Sequence, residues 1–231
     1  AVPGVDTPLS RQLRAGLDRY TGLHLIAFTV ADADAATARL RDAGFAPDAP
    51  VALRRPMPLD SGGEGTAAFS VIRLPPGAMS EGRVQMLTQD TPEVVWQPSV
   101  TAEDNALDML SGILICAADV DETVARYARF TGCAPVRDGD AVRIPLDRGE
   151  VAICDADACG KLLPGADIPA LPFLAAVAIR SADMAATRRR MAEAGIRLLY
   201  DAPDRIVTDP ADGMGAAFVL HGHGTAPFAA R

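Results

Sequence analysis

GILICAADVDETVARYARFTGC, residues 112–133, contains the change of period on which the fold turns. Gly112-Ile113-Leu114-Ile115-Cys116 is short, apolar and partly β-branched, the composition of a strand covered on both faces. Beyond it Val120, Val124, Tyr127 and Ala128 recur at helical spacing. Asp119 stands where an N-cap carboxylate satisfies free N–H groups and the positive helix end, and Gly132 stands where a left-handed residue ends a helix. The segment reads strand, turn, helix, glycine stop.

The same grammar occurs twice more. Leu23 to Val30 leads through Asp32 to Gly44, and Leu174 to Ile179 leads through Asp183 to Gly195, with Met184, Thr187, Met191 and Ala194 on one helical face read as core-facing. After each glycine come short strands divided by turn residues. In the first copy they are 51–53, 67–74 and 83–87, with Ser61-Gly62-Gly63-Glu64-Gly65 as a hairpin loop. In the second they are 141–144 and 150–154, and in the third 205–207 and 216–220. The unit is βαβββ and the fold class is α+β. A segment from about Gln89 to Ala106 joins the first copy to the second.

Composition sets the outer limits. The 231 residues, 49% hydrophobic and 23% charged, suit one or two globular modules. With 22 basic against 30 acidic residues, net charge −8, and no basic run longer than Arg188-Arg189-Arg190, nucleic acid is not expected as a partner. No apolar stretch reaches the roughly 20 residues that span a bilayer, and residues 1–20 lack a signal-peptide core, so no membrane partner is expected. Cys116, Cys133, Cys154 and Cys159 form no CxxC pair and read as reduced thiols of a cytoplasmic protein. A single lysine, Lys161, among the 22 basic residues and abundant alanine suggest a GC-rich bacterial source.

A tandem βαβββ unit with this Asp, helix and Gly layout resembles the vicinal-oxygen-chelate superfamily, which includes glyoxalase I, extradiol dioxygenases and bleomycin-resistance proteins. The resemblance covers residues 20–221. Arg83 to Pro98, followed by Asn105-Ala106, is similar to the connecting segment of bacterial glyoxalase-like-domain proteins. It implies that two units pair their sheets into a cup-shaped barrel. It also implies a divalent metal (Fe, Mn, Ni or Zn) held by first- and fourth-strand residues, with positions left open for a substrate that chelates through two adjacent oxygens.

Carried over position by position, the first-strand places fall on His24, Ser111 and Ala175, and the fourth-strand places on Gln85, Ala152 and Phe218. Metal is therefore expected only at His24 and Gln85, in the N-terminal cup, and none in the cup of 107–231. Residues 107–231 are expected to form one complete barrel from two units. Residues 1–106 would form a βαβββ module with an N-terminal helix over Ser10–Arg19 and the connecting segment. Its partner would be a fourth unit upstream of Ala1 or the same unit of a second chain in a homodimer.

Each candidate has a plainer reading. His24 between apolar neighbours also fits a core histidine with a local hydrogen bond, and Gln85 a polar strand residue. His221-Gly222-His223 reads as part of an exposed Gly-rich tail, and Cys154 to Cys159 as a turn. Arg54, Arg55, Arg73 and Arg143, on or beside strands, fit either a substrate carboxylate or solvated edge charges. Gly62-Gly63-Glu64-Gly65 lacks the residues of a phosphate loop, and no GxSxG, HExxH or serine with a placed base is legible. Two functions stand side by side: metal-dependent lyase, isomerase or dioxygenase chemistry on a small organic substrate, and metal-free binding of a small-molecule ligand.

Overall fold

The computed structural model describes residues 6–101 and 105–229. Residues 1–5, 230–231 and 102–104, the last inside the expected connecting segment, lie outside the described residues. The chain divides into two compact units, residues 25–102 and residues 1–24 with 103–231.

Helix α1, Pro8–Leu17, opens the chain with a capping box between Thr7 and Ser10. The unit of residues 25–102 holds β1 (Leu25–Thr29), α2 (Ala33–Asp42), β2 (Val51–Pro58), β3 (Glu64–Arg73), β4 (Arg83–Gln89) and the single turn α3 (Pro92–Val95). Its sheet runs β1-β4-β3-β2, with β1 parallel to β4 and the other pairs antiparallel. The other unit continues with β5 (Leu107–Cys116), α4 (Val120–Thr131), β6 (Val136–Asp138), β7 (Ala141–Pro145), β8 (Glu150–Cys154) and α5 (Ala156–Leu162). Then come β9 (Phe173–Ser181), α6 (Met184–Glu193), β10 (Leu198–Ala202), β11 (Arg205–Thr208) and β12 (Ala217–His221).

These strands form one eight-stranded sheet, β10-β11-β12-β9-β5-β8-β7-β6. Its centre is the antiparallel β5–β9 pair, and on either side the first strand lies parallel to the fourth, β5 to β8 and β9 to β12. That order matches β1-β4-β3-β2 of the smaller sheet, so the structure is α+β and built on βαβββ-like arrangements.

The local signals act as the sequence implies. Asp32 accepts from the Ala35 amide, Asp119 from Glu122, and Asp183 from Ala185 and Ala186. Gly44, Gly132 and Gly195 all have positive φ at their helix ends. α4 buries Thr123, Val124, Arg126, Tyr127 and Phe130. α6 docks more lightly: Thr187 is its buried residue among those described, while Met184 and Met191, expected in the core, are half-buried.

Two readings change. Cys154 to Cys159 is not a turn, because the Asp155 carboxylate accepts from the Ala158 amide and starts α5 there. His221 is not in an exposed tail but ends β12 as a buried residue; His223 is exposed.

Residues 1–24 group with 103–231, whereas the sequence places them with the first module. The reason is local bonding. Tyr20 Oη donates to the Leu23 carbonyl at 2.7 Å and accepts from the Leu174 amide at 3.2 Å, and Leu23 bridges to Leu174 in antiparallel sense. The core of this unit gathers Leu114, Cys116, Ala152, Cys154, Cys159, Leu162, Ala176, Ala178, Ala217, Val219 and Phe228 with Tyr20, so side chains fill its interior.

Candidate functional site

In the sheet of residues 25–102 the helix-covered face is identified by Met86, whose Sδ lies 3.7 Å from the guanidinium of Arg39 on α2, and by buried Val84 and Ile72. Strand alternation then puts Arg83, Gln85, Leu87 and Gln89 on the opposite face. Register adds to that face: Gln85 stands across from Ala27 on β1 and Arg73 on β3, and Leu87 from Val71, itself paired with Val51. Leu25, Val51 and Leu53 remain 39%, 36% and 41% exposed. Trp96, 64% exposed, donates its indole N–H to Gln89 Oε1 at 2.6 Å.

The polar centre of this face is Arg73, Arg83 and Gln85. Arg83 Nε donates to Gln85 Oε1 at 3.0 Å. Burial, and then the like charge of Arg73, lower the Arg83 pKa, with Asp48 opposing. Arg73 Nε is buried without a hydrogen-bond partner. Two guanidiniums that repel each other, one with an unspent donor, favour an anion between or beside them. Arg54 and Arg55 on β2 are exposed, and Arg143 is bound instead to Glu150 at 3.2 Å.

His24 lies in the other unit. It is 8% exposed, its ring centroid is 4.3 Å from that of Tyr20, and Nε2 meets the Tyr20 carbonyl at 2.9 Å. A carbonyl only accepts, so Nε2 carries the proton and Nδ1 a lone pair, which is buried and unpartnered beside Gly16. The two residues expected to hold a divalent metal are thus each engaged within their own unit, Gln85 through its carbonyl oxygen and His24 through Nε2.

Of the positions expected to be metal-free, Ala152 and Ala175 line the core. Ser111 does not stand alone: its Oγ is 2.6 Å from His221 Nε2, and His221 Nδ1 is 3.0 Å from the Gly222 carbonyl. Nδ1–H donates to that carbonyl and Nε2 accepts from the serine hydroxyl, so the ring is neutral. Burial lowers its pKa first of all. The sequence shows no serine with a placed base, and this pair is what strand order adds. Both residues are buried and the third partner is a backbone carbonyl, so the pair is a polar tie between β5 and β12. Phe218 falls on the opposite face of β12 from Ala217 and Val219, one residue out of the expected register.

A second cluster is invisible in the linear spacing. Cys116, Cys154 and Cys159 are buried, with their sulfurs all within 4.8 Å of one another. Hydrogen bonds from Cys154 and Cys159 lower Cys116 to about 4, while donating to it raises Cys159 to about 12 and Cys154 further.

Residues 3–139 match the family described as a glyoxalase-like domain. No functionally curated protein matches the sequence. Among solved structures, a variant of 4-hydroxymandelate synthase from Streptomyces coelicolor aligns over 97% of this chain and 78% of its own, with 13% identity and a TM-score of 0.58. A hypothetical protein from Staphylococcus aureus aligns over 91% of this chain and 70% of its own, with 11% identity and a TM-score of 0.59. Methylmalonyl-CoA epimerase from Mycobacterium tuberculosis covers 55% of this chain and 95% of its own at 18% identity, TM-score 0.41. With more than half of its length inside that family match, the chain belongs to the glyoxalase-like domain family.

Proposed function

We propose that this protein binds a small organic anion on the open face of the 25–102 sheet, with Arg73 and Arg83 taking a carboxylate and Gln85 orienting it. The observation that carries the reading is the buried, unpartnered Nε of Arg73 beside a second, partly desolvated guanidinium. A carboxylate supplies the acceptor that Arg73 Nε lacks, and Trp96, Leu53 and Val51 offer apolar surface for the rest of the molecule. Hydrogen bonds to charged groups are worth about 1.5–3 kcal/mol, or roughly 10- to 150-fold in affinity.

The test is calorimetric titration of the intact chain with oxalate, pyruvate and benzoate against their neutral amides. Binding of a carboxylate and not its amide, weakened by roughly 10- to 150-fold in Arg73→Gln, is the expected result. Equal binding of acid and amide, no binding of any acid, or an Arg73→Gln variant that binds like the wild type overturns the reading.

A second reading keeps a divalent metal at His24 and rests on the orphaned Nδ1 of that residue. Elemental analysis of the intact protein decides it: stoichiometric metal lost in His24→Ala supports it, and metal unaffected by that change excludes it.

A further inference from the structure

We propose that Cys116, Cys154 and Cys159 form a binding site for a thiophilic divalent d10 cation, of which Zn²⁺ is the reference case. Three properties of the cluster suit such an ion. The first is geometry. Cys116 and Cys154 end adjacent parallel strands as Cα partners, and Cys159 comes from the first turns of α5, packed on the same core. Their sulfurs lie within 4.8 Å of one another, and a Zn–S bond of about 2.3 Å in tetrahedral geometry sets S···S at about 3.8 Å, so small side-chain rotations close the set on one ion.

The second is donor chemistry. All three ligands are soft sulfurs, the donor type that selects zinc-group and copper(I) ions over Mg²⁺, Ca²⁺ or Mn²⁺. Charge then separates the remaining candidates. Three thiolates around a divalent ion leave one net negative charge, and around a monovalent ion two. In an interior walled by Leu114, Ala152, Leu162 and Phe173, the smaller charge is the less costly to bury.

The third is access. Cys154 and Asp155 belong to the lining of an open cleft of about 620 Å³ that also includes Asp119, Asp121 and Asp140, with Arg137 as its cationic member. A cleft richer in carboxylate than in guanidinium concentrates cations at its mouth. Among the described residues no fourth His, Cys, Asp or Glu joins the group, so one coordination position stays open for water or an exogenous thiol.

Binding is a proton exchange: M²⁺ and three thiols give a tris-thiolate complex of charge −1 and three protons, with three M–S bonds formed, three S–H bonds broken and no oxidation. The cluster shares no residue with the anion site of residues 25–102.

The experiment uses the intact 231-residue chain, reduced, unfolded and refolded with Cd²⁺ or Zn²⁺, then desalted. The expected result is one ion retained per chain, a sulfur-to-Cd²⁺ charge-transfer band in the ultraviolet, and uptake of Zn²⁺ that becomes weaker as pH falls. Cys159→Ser and Cys159→Ala should lower affinity by about 100-fold or more, since outer-shell partners alone are worth 10–100-fold. Cys133→Ser, whose half-buried thiol is outside the cluster, should leave it unchanged. If the Cys159 variants fail to refold by circular dichroism, the wild-type stoichiometry and band decide alone. Absence of both, retention of Cu⁺ but neither divalent ion, or undiminished binding by a folded Cys159 variant overturns the proposal.

Discussion

A single glycine shows how far a residue's effect departs from its propensity. Gly16 lies in α1, where alanine would normally gain about 1 kcal/mol. A Cβ there would stand 2.8 Å from His24 Nδ1 and 2.9 Å from Cγ, and the ring cannot swing away because Nε2 is held by the Tyr20 carbonyl and its face packs on Tyr20. Gly16→Ala is therefore expected to destabilise by about 1–3 kcal/mol. In a His24→Ala background the same change should become neutral or stabilising. Urea unfolding of the four proteins in this cycle reads the sign directly, and a destabilising Gly16→Ala in both backgrounds would refute the contact. His221 gives a pH prediction. Its folded pKa is lowered from an ordinary 6.5 by burial. A base with a depressed folded pKa contributes stability above its unfolded value and loses it as pH falls through the folded one. Wild-type stability should thus decline as pH drops below about 6.5, and the stability difference between wild type and His221→Gln should shrink over that interval. A difference independent of pH would mean that the fold leaves the ring's pKa unshifted, and one that grows as pH falls would mean that the ring is charged in the fold.

Elements show which parts of the design the sequence exposes. The strand, Asp cap, helix, Gly stop pattern is legible because each device is local: an N-cap acts within three residues, and a left-handed C-cap within two. Hence Asp32, Asp119 and Asp183 and the glycines Gly44, Gly132 and Gly195 do what their positions imply. The depth at which a helix docks is less legible. α4 and α6 have similar periodicity, but Phe130 and Tyr127 are fully buried whereas Met184 and Met191 are only half so, since burial depends on the opposing sheet. Phe130→Ala should cost about 3–5 kcal/mol in chemical unfolding and Met191→Ala about 1 kcal/mol; equal losses would contradict the difference in docking. The site residues divide along the same line. Gln85 and Arg73 are recoverable as candidates because they stand out in apolar strands, but their juxtaposition needs the β3–β4 register. The thiol cluster depends on β5 lying beside β8, and on a helix where the sequence suggested a turn. A signal was present: the first and fourth strands of a βαβββ unit are neighbours, and in the second copy both end in cysteine.

For the whole molecule, the informative feature is that residues 1–24 complete the unit built from 103–231. The tie includes an isolated bridge at Leu23–Leu174, the Tyr20 hydroxyl between the Leu23 carbonyl and the Leu174 amide, and the Arg19 guanidinium on the Pro172 carbonyl. Tyr20 also inserts its ring into the core, edge-on to Phe173 at 5.6 Å. The phenol contributes hydrophobic area and a hydroxyl in separable amounts. Tyr20→Phe keeps the ring and strips the hydroxyl, leaving a buried amide and carbonyl to find other partners, at a cost of about 1–3 kcal/mol. Tyr20→Ala removes the ring as well, adding a cavity and raising the loss to about 3–5 kcal/mol. Hydrogen exchange locates the effect. In Tyr20→Phe the Leu174 amide, deprived of its acceptor, should exchange faster than in wild type by more than its β9 neighbours Ala176 and Ala178, whose strand-pairing bonds remain. Unchanged protection at Leu174 together with unchanged unfolding free energy would show that the N-terminal residues lie against this unit without holding it.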